Sequence, residues 1–309
     1  PAMASTTIAT WYEVLFSICE KDCTSSAVGC SLMGLIIPAG AQAWRAKAVD
    51  RLDGGVATEI LGAPPRTPVL YARALAGSLL PGVVWGGGDR IPDRTLSLPQ
   101  VRFSPDDVHA YREVCGGAGP DLPPAMLHVA GFPLAMQLMT ARDFPMGALG
   151  MVHIANRIEV EGPLPALGAY DVSVHIDPPR AHRRGTEFDV VTTAHLDGDV
   201  IWRESSTYLS RGRTLPTAGE PGPAPEWPVA PGRVDSVLDA ASDIGRRYAV
   251  VSGDRNPIHM HPLAARAFGF PSAIAHGMWS LARCLSVVEG SLPERYVVEA
   301  GFFKPVLLP

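Results

Sequence analysis

The residues able to do chemistry concentrate in one stretch, Tyr248-Ala-Val-Val-Ser-Gly-Asp-Arg-Asn-Pro-Ile-His-Met-His261. It continues through Phe268-Gly-Phe-Pro-Ser-Ala-Ile-Ala-His-Gly-Met278. Asp254 and His259 stand five residues apart across Asn256-Pro257. Proline removes a backbone donor and drives the residue before it toward extended conformations, so a shaped loop is expected here rather than helix interior. Such a loop would turn a carboxylate toward an imidazole, a pair suited to moving protons because the acid fixes the ring's tautomer and raises its basicity. A helix-capping Asp beside a solvated His is the blander reading of the same spacing. His276-Gly277 opens an apolar run, where a helix start offers free N–H groups and the positive end of its dipole. Gly277 has no side chain to hold a carbonyl away, so its N–H would serve a developing enolate oxygen. Tight helix packing explains that glycine equally well. Asn256 is expected to close an Asx turn that holds the loop, Ser252 to make local hydrogen bonds, and Tyr248 to pack or to line a tunnel. Asp254, His259, His261 and His276 also invite a metal reading, since His-x-His can bind zinc or iron. No further carboxylate stands at a tight spacing and Pro262 follows His261 directly, so no metal is expected.

The rest of the chain bounds what that stretch can belong to. In 309 residues, 47% are apolar and 18% charged, enough for a sizeable core and too apolar for a largely disordered chain. Twenty-six basic against 31 acidic residues give a formal charge of -5 with no basic run, which argues against nucleic acid and polybasic membrane binding. Gly and Pro, 31 and 30 in number and scattered, disfavour a helical bundle. The five cysteines (Cys19, Cys23, Cys30, Cys115 and Cys284) offer no paired CxxC and are odd in number, the pattern of a reduced, cytoplasmic protein. The apolar run Ala27 to Ile37 is too short to span a bilayer. Gly86-Gly-Gly-Asp89 lacks the lysine and hydroxyl of a phosphate loop and is expected to be a turn, and Gly29 to Gly34 fails the dinucleotide pattern likewise.

The chain repeats itself. Tyr111-Arg-Glu-Val-Cys-Gly116 is echoed 137 positions later by Tyr248-Ala-Val-Val-Ser-Gly253, each closing a short helical stretch, Pro105 to Val114 and Ala241 to Val251. Each echo is followed by a His at the start of an apolar helix, His128 to Met136 and His276 to Leu285, and then by an extended run, Met151 to Pro165 and Tyr296 to Pro309. The first half continues into strand-like runs Ala169 to Ile176, Glu187 to Leu196 and Val200 to Leu209, with a hairpin turn at Asp197-Gly198-Asp199. These patterns predict an α+β duplication. Residues 1–66 carry no assignable role, 67–212 form the first unit, the proline-rich 213–231 link the two, and 232–309 form the second. By internal comparison the second unit lacks about three strands. The chain also opens on Pro1 with its first methionine at Met3, so a longer native polypeptide is expected.

Tyr248-x-x-x-Ser-Gly-Asp-x-Asn-Pro-Ile-His259, with Gly269-Phe270, Ile274-Ala-His-Gly-Met278 and Phe302-Phe-Lys-Pro-Val306, closely resembles the hydratase 2 motif of MaoC-like (R)-specific enoyl-CoA hydratases and 3-hydroxyacyl-thioester dehydratases. His128 to Met139 and Gly150 to Arg157 extend the likeness to the double hot-dog dehydratases of actinobacterial fatty-acid metabolism, over about residues 67–309. The resemblance implies a tandem hot-dog fold, antiparallel sheets each wrapping a central helix, with the second apparently truncated. It implies reversible hydration of trans-2-enoyl thioesters to (R)-3-hydroxyacyl thioesters without a cofactor. Asp254 and His259 fall on the pair that activates water and Gly277 on the donor to the thioester carbonyl. Tyr248, Ser252, Gly253, Asn256, His276 and Met278 fall on the supporting positions. The first half departs from the pattern: 17 residues separate Tyr111 from His128 against 28 between Tyr248 and His276, with no Asp/His pair between. One site per chain is therefore implied, in the second half. The substrate partner is an acyl-CoA or an acyl carrier protein thioester, with no nucleic acid or membrane partner, and pairing into a homodimer is open. A non-catalytic acyl-thioester binding module is the alternative, set against the intact Asp/His pair, and a thioesterase is a third reading.

Overall fold

A stretch that is apolar all round its helical circumference must be buried on every side, and Met126–Met139 (α3) is such a stretch: ten of its fourteen residues are buried, Leu127 and Leu134 completely. The structure, a computed structural model, describes residues 14–20, 57–79, 88–212, 214–221 and 238–308. Ahead of α3 come strands β1 (Val14–Glu20) and β2 (Thr58–Ile60), helix α1 (Thr67–Leu79), strand β3 (Thr95–Val101) and helix α2 (Pro105–Cys115). The start of α2 follows from sequence. Ser104 Oγ accepts from the Asp107 amide, Asp107 Oδ2 accepts from the Ser104 amide, and Pro105 occupies the first helical position. After α3 the chain lays down β4 (Val152–Val160), β5 (Tyr170–Ile176), the short β6 (Arg180–His182), β7 (Gly185–Leu196) and β8 (Asp199–Arg211). In β5, residues 170, 172, 174 and 176 are buried, the period-two signature of a strand with one face on the core. Asp197 and Gly198 both take positive φ (53° and 94°) in the expected hairpin turn between β7 and β8.

The strands form one sheet in the order β1-β9-β4-β8-β7-β5-β3-β2, where β9 is Tyr296–Phe302. All pairings are antiparallel except β2 with β3. The β4-β8-β7-β5-β3 portion curls around α3, the arrangement of a hot-dog fold. The second unit supplies helices α4 (Ile244–Ser252), α5 (Pro257–Met260), α6 (Pro262–Ala267) and α7 (Gly277–Val288) before β9. It joins the first where β9 runs antiparallel along β4, from Ala155↔Gly301 to Val160↔Tyr296. The sequence repeat is visible here. The echoed tyrosines Tyr111 and Tyr248 are both fully buried and face one another, ring centroids 6.4 Å apart, and Trp279 of α7 donates to the Val114 carbonyl of α2 at 3.0 Å.

Three features differ from the sequence expectation. The edge of β9 away from β4 is paired with β1, from Val14↔Phe302 to Glu20↔Tyr296, so a segment given no role among residues 1–66 forms that end of the sheet. The proline-rich segment is packed where it is described: Leu215 is buried in the first unit's core and its amide donates to Thr186 Oγ1, while Ala181 donates to the Gly219 carbonyl. Its residues 222–231 lie outside the described residues. Finally, Asn256-Pro257 does not lie in open loop but starts a helix, with Asn256 as cap and Pro257 at the first helical position.

Candidate active site

Helix α4 ends at Gly253, whose left-handed conformation (φ 73°) suits glycine, and its N–H caps the Ala249 carbonyl. That turn delivers Asp254. Ser252 Oγ donates to the Tyr248 carbonyl at 2.8 Å and accepts from the Asp254 amide at 3.1 Å, the local role expected of it. Asp254 Oδ1 then accepts from the Asn256 amide at 3.0 Å, and Asn256 Oδ1 accepts from the Ile258 amide at 3.4 Å, capping the single turn of α5 that carries His259. Five residues thus fold back in two consecutive side-chain-closed turns, which is how the D-x4-H spacing faces its two groups toward one cavity.

His259 Nδ1 lies 2.8 Å from the Ile274 carbonyl. A carbonyl only accepts, so Nδ1 carries the proton and Nε2 is left as the basic atom. His276, cap of α7, is bonded through Nε2 to the Asp254 main-chain carbonyl at 3.0 Å, with Asp254 Oδ2 at 3.7 Å. The two imidazoles stack, centroids 3.7 Å apart and planes 28° from parallel. One donor atom from each of Asp254, His259 and His276 lies within 4.8 Å of the others. One water, about 2.8 Å from each partner, spans such a gap. A carboxylate with two imidazoles also has the composition of a metal site. Stacked rings, however, aim their in-plane lone pairs side by side rather than at a common point, a poor shape for one ion. His261 stands apart, exposed, accepting from the Leu263 amide as the cap of α6.

Electrostatics separates the roles. Burial opposes charge on Asp254, but the imidazoles of His276 and His259 and the bonds from Tyr71 and Asn256 outweigh it and hold the carboxyl below the usual carboxylate range. Burial pushes His259 below the ordinary imidazole value despite Asp254 and the Ile274 carbonyl. Burial, and then His259, push His276 down to about 3. At neutral pH the site is a carboxylate beside two neutral imidazoles, a state that can accept a proton.

Gly277 occupies the first position of α7, where helix N–H groups have no intrahelical acceptor. A Cβ there would sit 3.2 Å from the Phe302 ring, so the tight neighbour expected of this glycine is present. Met278 and Tyr248 are buried, and with Asp254, Asn256, His259 and Gly277 they line one cavity of about 210 Å³. Its far wall comes from the first unit, where Phe132, Met136, Met139 and Met151 give an apolar lining suited to an acyl chain.

Several participants carry no motif. Tyr71 of α1 donates to Asp254 Oδ1 at 2.5 Å across 183 residues of sequence. The wall also holds His128, whose Nδ1 lies 2.8 Å from buried Glu204, itself bonded by Asn156 at 2.7 Å. Burial opposes charge on His128 and on Glu204, yet each holds the other ionised, His128 above and Glu204 below its ordinary value. The repeat marks His128 as the counterpart of His276. Nothing in the local sequence signals Tyr71 or Glu204, because what pairs them is tertiary.

Residues 228–309 match the MaoC like domain family. The chain is 38% identical over 238 residues to 3-hydroxyacyl-thioester dehydratase X of Mycobacterium tuberculosis, covering 77% of this chain and 84% of that protein. It is 31% identical over 157 residues to enoyl-CoA hydratase ChsH3 of the same organism, covering 49% and 54%. The crystal structure of M. tuberculosis HtdX superposes with a TM-score of 0.60 at 36% identity, covering 70% of this chain and 85% of that one. The chain belongs to the MaoC-like dehydratase and hydratase family. It is accordingly a hydro-lyase of hot-dog fold whose substrate is an acyl thioester.

Proposed function

We propose that the chain hydrates trans-2-enoyl thioesters to (R)-3-hydroxyacyl thioesters and runs the reverse dehydration, with one site, in the unit of residues 232–309. The observation that carries the assignment is His259 Nε2, left basic by the Nδ1 bond to Ile274, close beside an ionised Asp254 and facing the same cavity as the Gly277 N–H. Asp254 and His259 hold a water between them. As its oxygen bonds to C3 of the enoyl group, a water proton passes to the pair and electrons move toward the thioester carbonyl. The Gly277 N–H and the start of α7 stabilise that enolate oxygen. The pair then returns a proton to C2 on the same face, giving syn addition. Dehydration retraces these steps, removing the C2 proton and protonating the leaving hydroxyl. No step calls for a cofactor. The apolar wall from residues 67–212 takes the acyl tail, which makes the first unit a binding half, and CoA or an acyl carrier protein presents the thioester. The test is to incubate purified chain with trans-2-enoyl-CoA and resolve the product's configuration. The (R)-3-hydroxyacyl-CoA is expected. The (S) product, or free CoA from hydrolysis, contradicts the proposal.

A further inference from the structure

Helix α1 lies outside the matched domain and outside every motif in the sequence, yet it reaches the reactive pair. Leu70 and Ala74, each 2% exposed, anchor it. Its first turn lies beside the cap of α4, since a Cβ on Gly253 would sit 3.7 Å from Thr67. One turn on, Tyr71 sends its hydroxyl to Asp254 Oδ1 at 2.5 Å and lines the cavity. The Asn256 amide donates to that same oxygen at 3.0 Å. Oδ1 therefore carries two charge-assisted donors, the tyrosine's bond being the shorter. Oδ2 is the oxygen nearer His276, 3.7 Å from its Nε2.

We infer that Tyr71 is a positioning residue for the hydro-lyase reaction: it locks the Asp254 carboxylate so that Oδ2 alone is offered to the water shared with His259. The inference rests on the reading that Asp254 and His259 act on that water. Tyr71 itself does not titrate in the working range. Burial and the Asp254 carboxylate push its phenol far above the ordinary value, so it stays a donor. It follows that the first unit contributes to the reaction geometry as well as to acyl binding, and that neither unit assembles the site alone.

Tyr71→Phe keeps the ring and its packing and removes one oxygen. Loss of a hydrogen bond to a charged group, together with freedom for the carboxylate to rotate, is expected to lower kcat roughly 10- to 100-fold. KM for a trans-2-enoyl-CoA is expected to stay within about twofold, because the bond touches no substrate atom. In an Asp254→Asn background the same change should cost almost nothing more, since the two residues act as a unit. A second readout needs no turnover: isotope-edited infrared titration of the Asp254 carboxyl should move to higher pH in Tyr71→Phe by about 1 unit, as expected when a donor to the ionised form is removed. An unmoved titration overturns the proposal whether or not the chain is active. A shifted titration with kcat unchanged overturns the positioning role. A wild-type chain without hydratase activity, but with a shifted titration, overturns the reading of Asp254 and His259 and leaves the Tyr71 contact established. Loss of folding, judged by circular dichroism, would make the residue structural and likewise sink the proposal.

Discussion

Asp254 and His259 are worth considering first as atoms. Each has one atom occupied by the protein and one left over: Asp254 Oδ1 by Tyr71 and the Asn256 amide, His259 Nδ1 by the Ile274 carbonyl. The atoms left over face the same space, so local hydrogen bonds decide which nitrogen and which oxygen can meet a water. The charge state follows as well. Asp254 must be ionised and His259 neutral to take a proton from water, and both values lie below their ordinary positions. As pH falls, a group with a depressed value keeps its deprotonated form further into acid. The acid limb of kcat/KM for hydration should therefore lie below the free imidazole value of about 6.5. A pH–rate profile checks this, and a limb centred at or above that value would mean His259 is not the base.

At the scale of elements, the site depends on how closely α4 and α5 approach. Gly245 makes this possible: a Cβ there would lie 2.2 Å from the His259 carbonyl oxygen. Gly245→Ala should displace α5, costing about 1–3 kcal/mol of stability in urea unfolding through overpacking. It should also lower kcat roughly tenfold or more by moving His259 off its partner. An unchanged denaturation midpoint with an unchanged rate would contradict the packing argument. Elements were also where the sequence was most and least legible. Apolar runs marked α3 and α7, and alternation marked the long strands, because their burial is written in residue type. The Asp254 to His259 turn was legible from Asn256-Pro257, although the proline starts a one-turn helix rather than breaking one, since the first helical position needs no donor. Helix α1 and strand β3 gave no pattern strong enough to read, and β1 lies in a stretch without periodicity. The pairing of β1 with β9 and the reach of Tyr71 to Asp254 join segments far apart in the chain, and no local signal encodes them.

Across the whole molecule, the proposed reaction draws on both repeated units. In the proposed reaction the second unit supplies the carboxylate, the imidazole and the helix start. The first presents the apolar wall, His128 and Tyr71 to the same cavity, with Glu204 buried behind His128. A buried ion pair is weak evidence for stability, because desolvation offsets its attraction. His128 alone of the pair reaches the cavity wall, where Glu204 holds its ring. No helix among the described residues is long and apolar enough to cross a membrane. In the proposed reaction Asp254 and His259 add water to an enoyl thioester. The measurement that tests it most directly is the ultraviolet absorbance of the conjugated enoyl group, followed after adding crotonyl-CoA and a longer trans-2-enoyl-CoA to wild-type protein and to Asp254→Asn. Wild type should bleach the absorbance, and the variant, equally folded, should do so roughly 10²-fold more slowly, the loss typical of a general acid–base group. Equal rates for the two proteins, or acyl-CoA binding by wild type without any bleaching, would contradict the account.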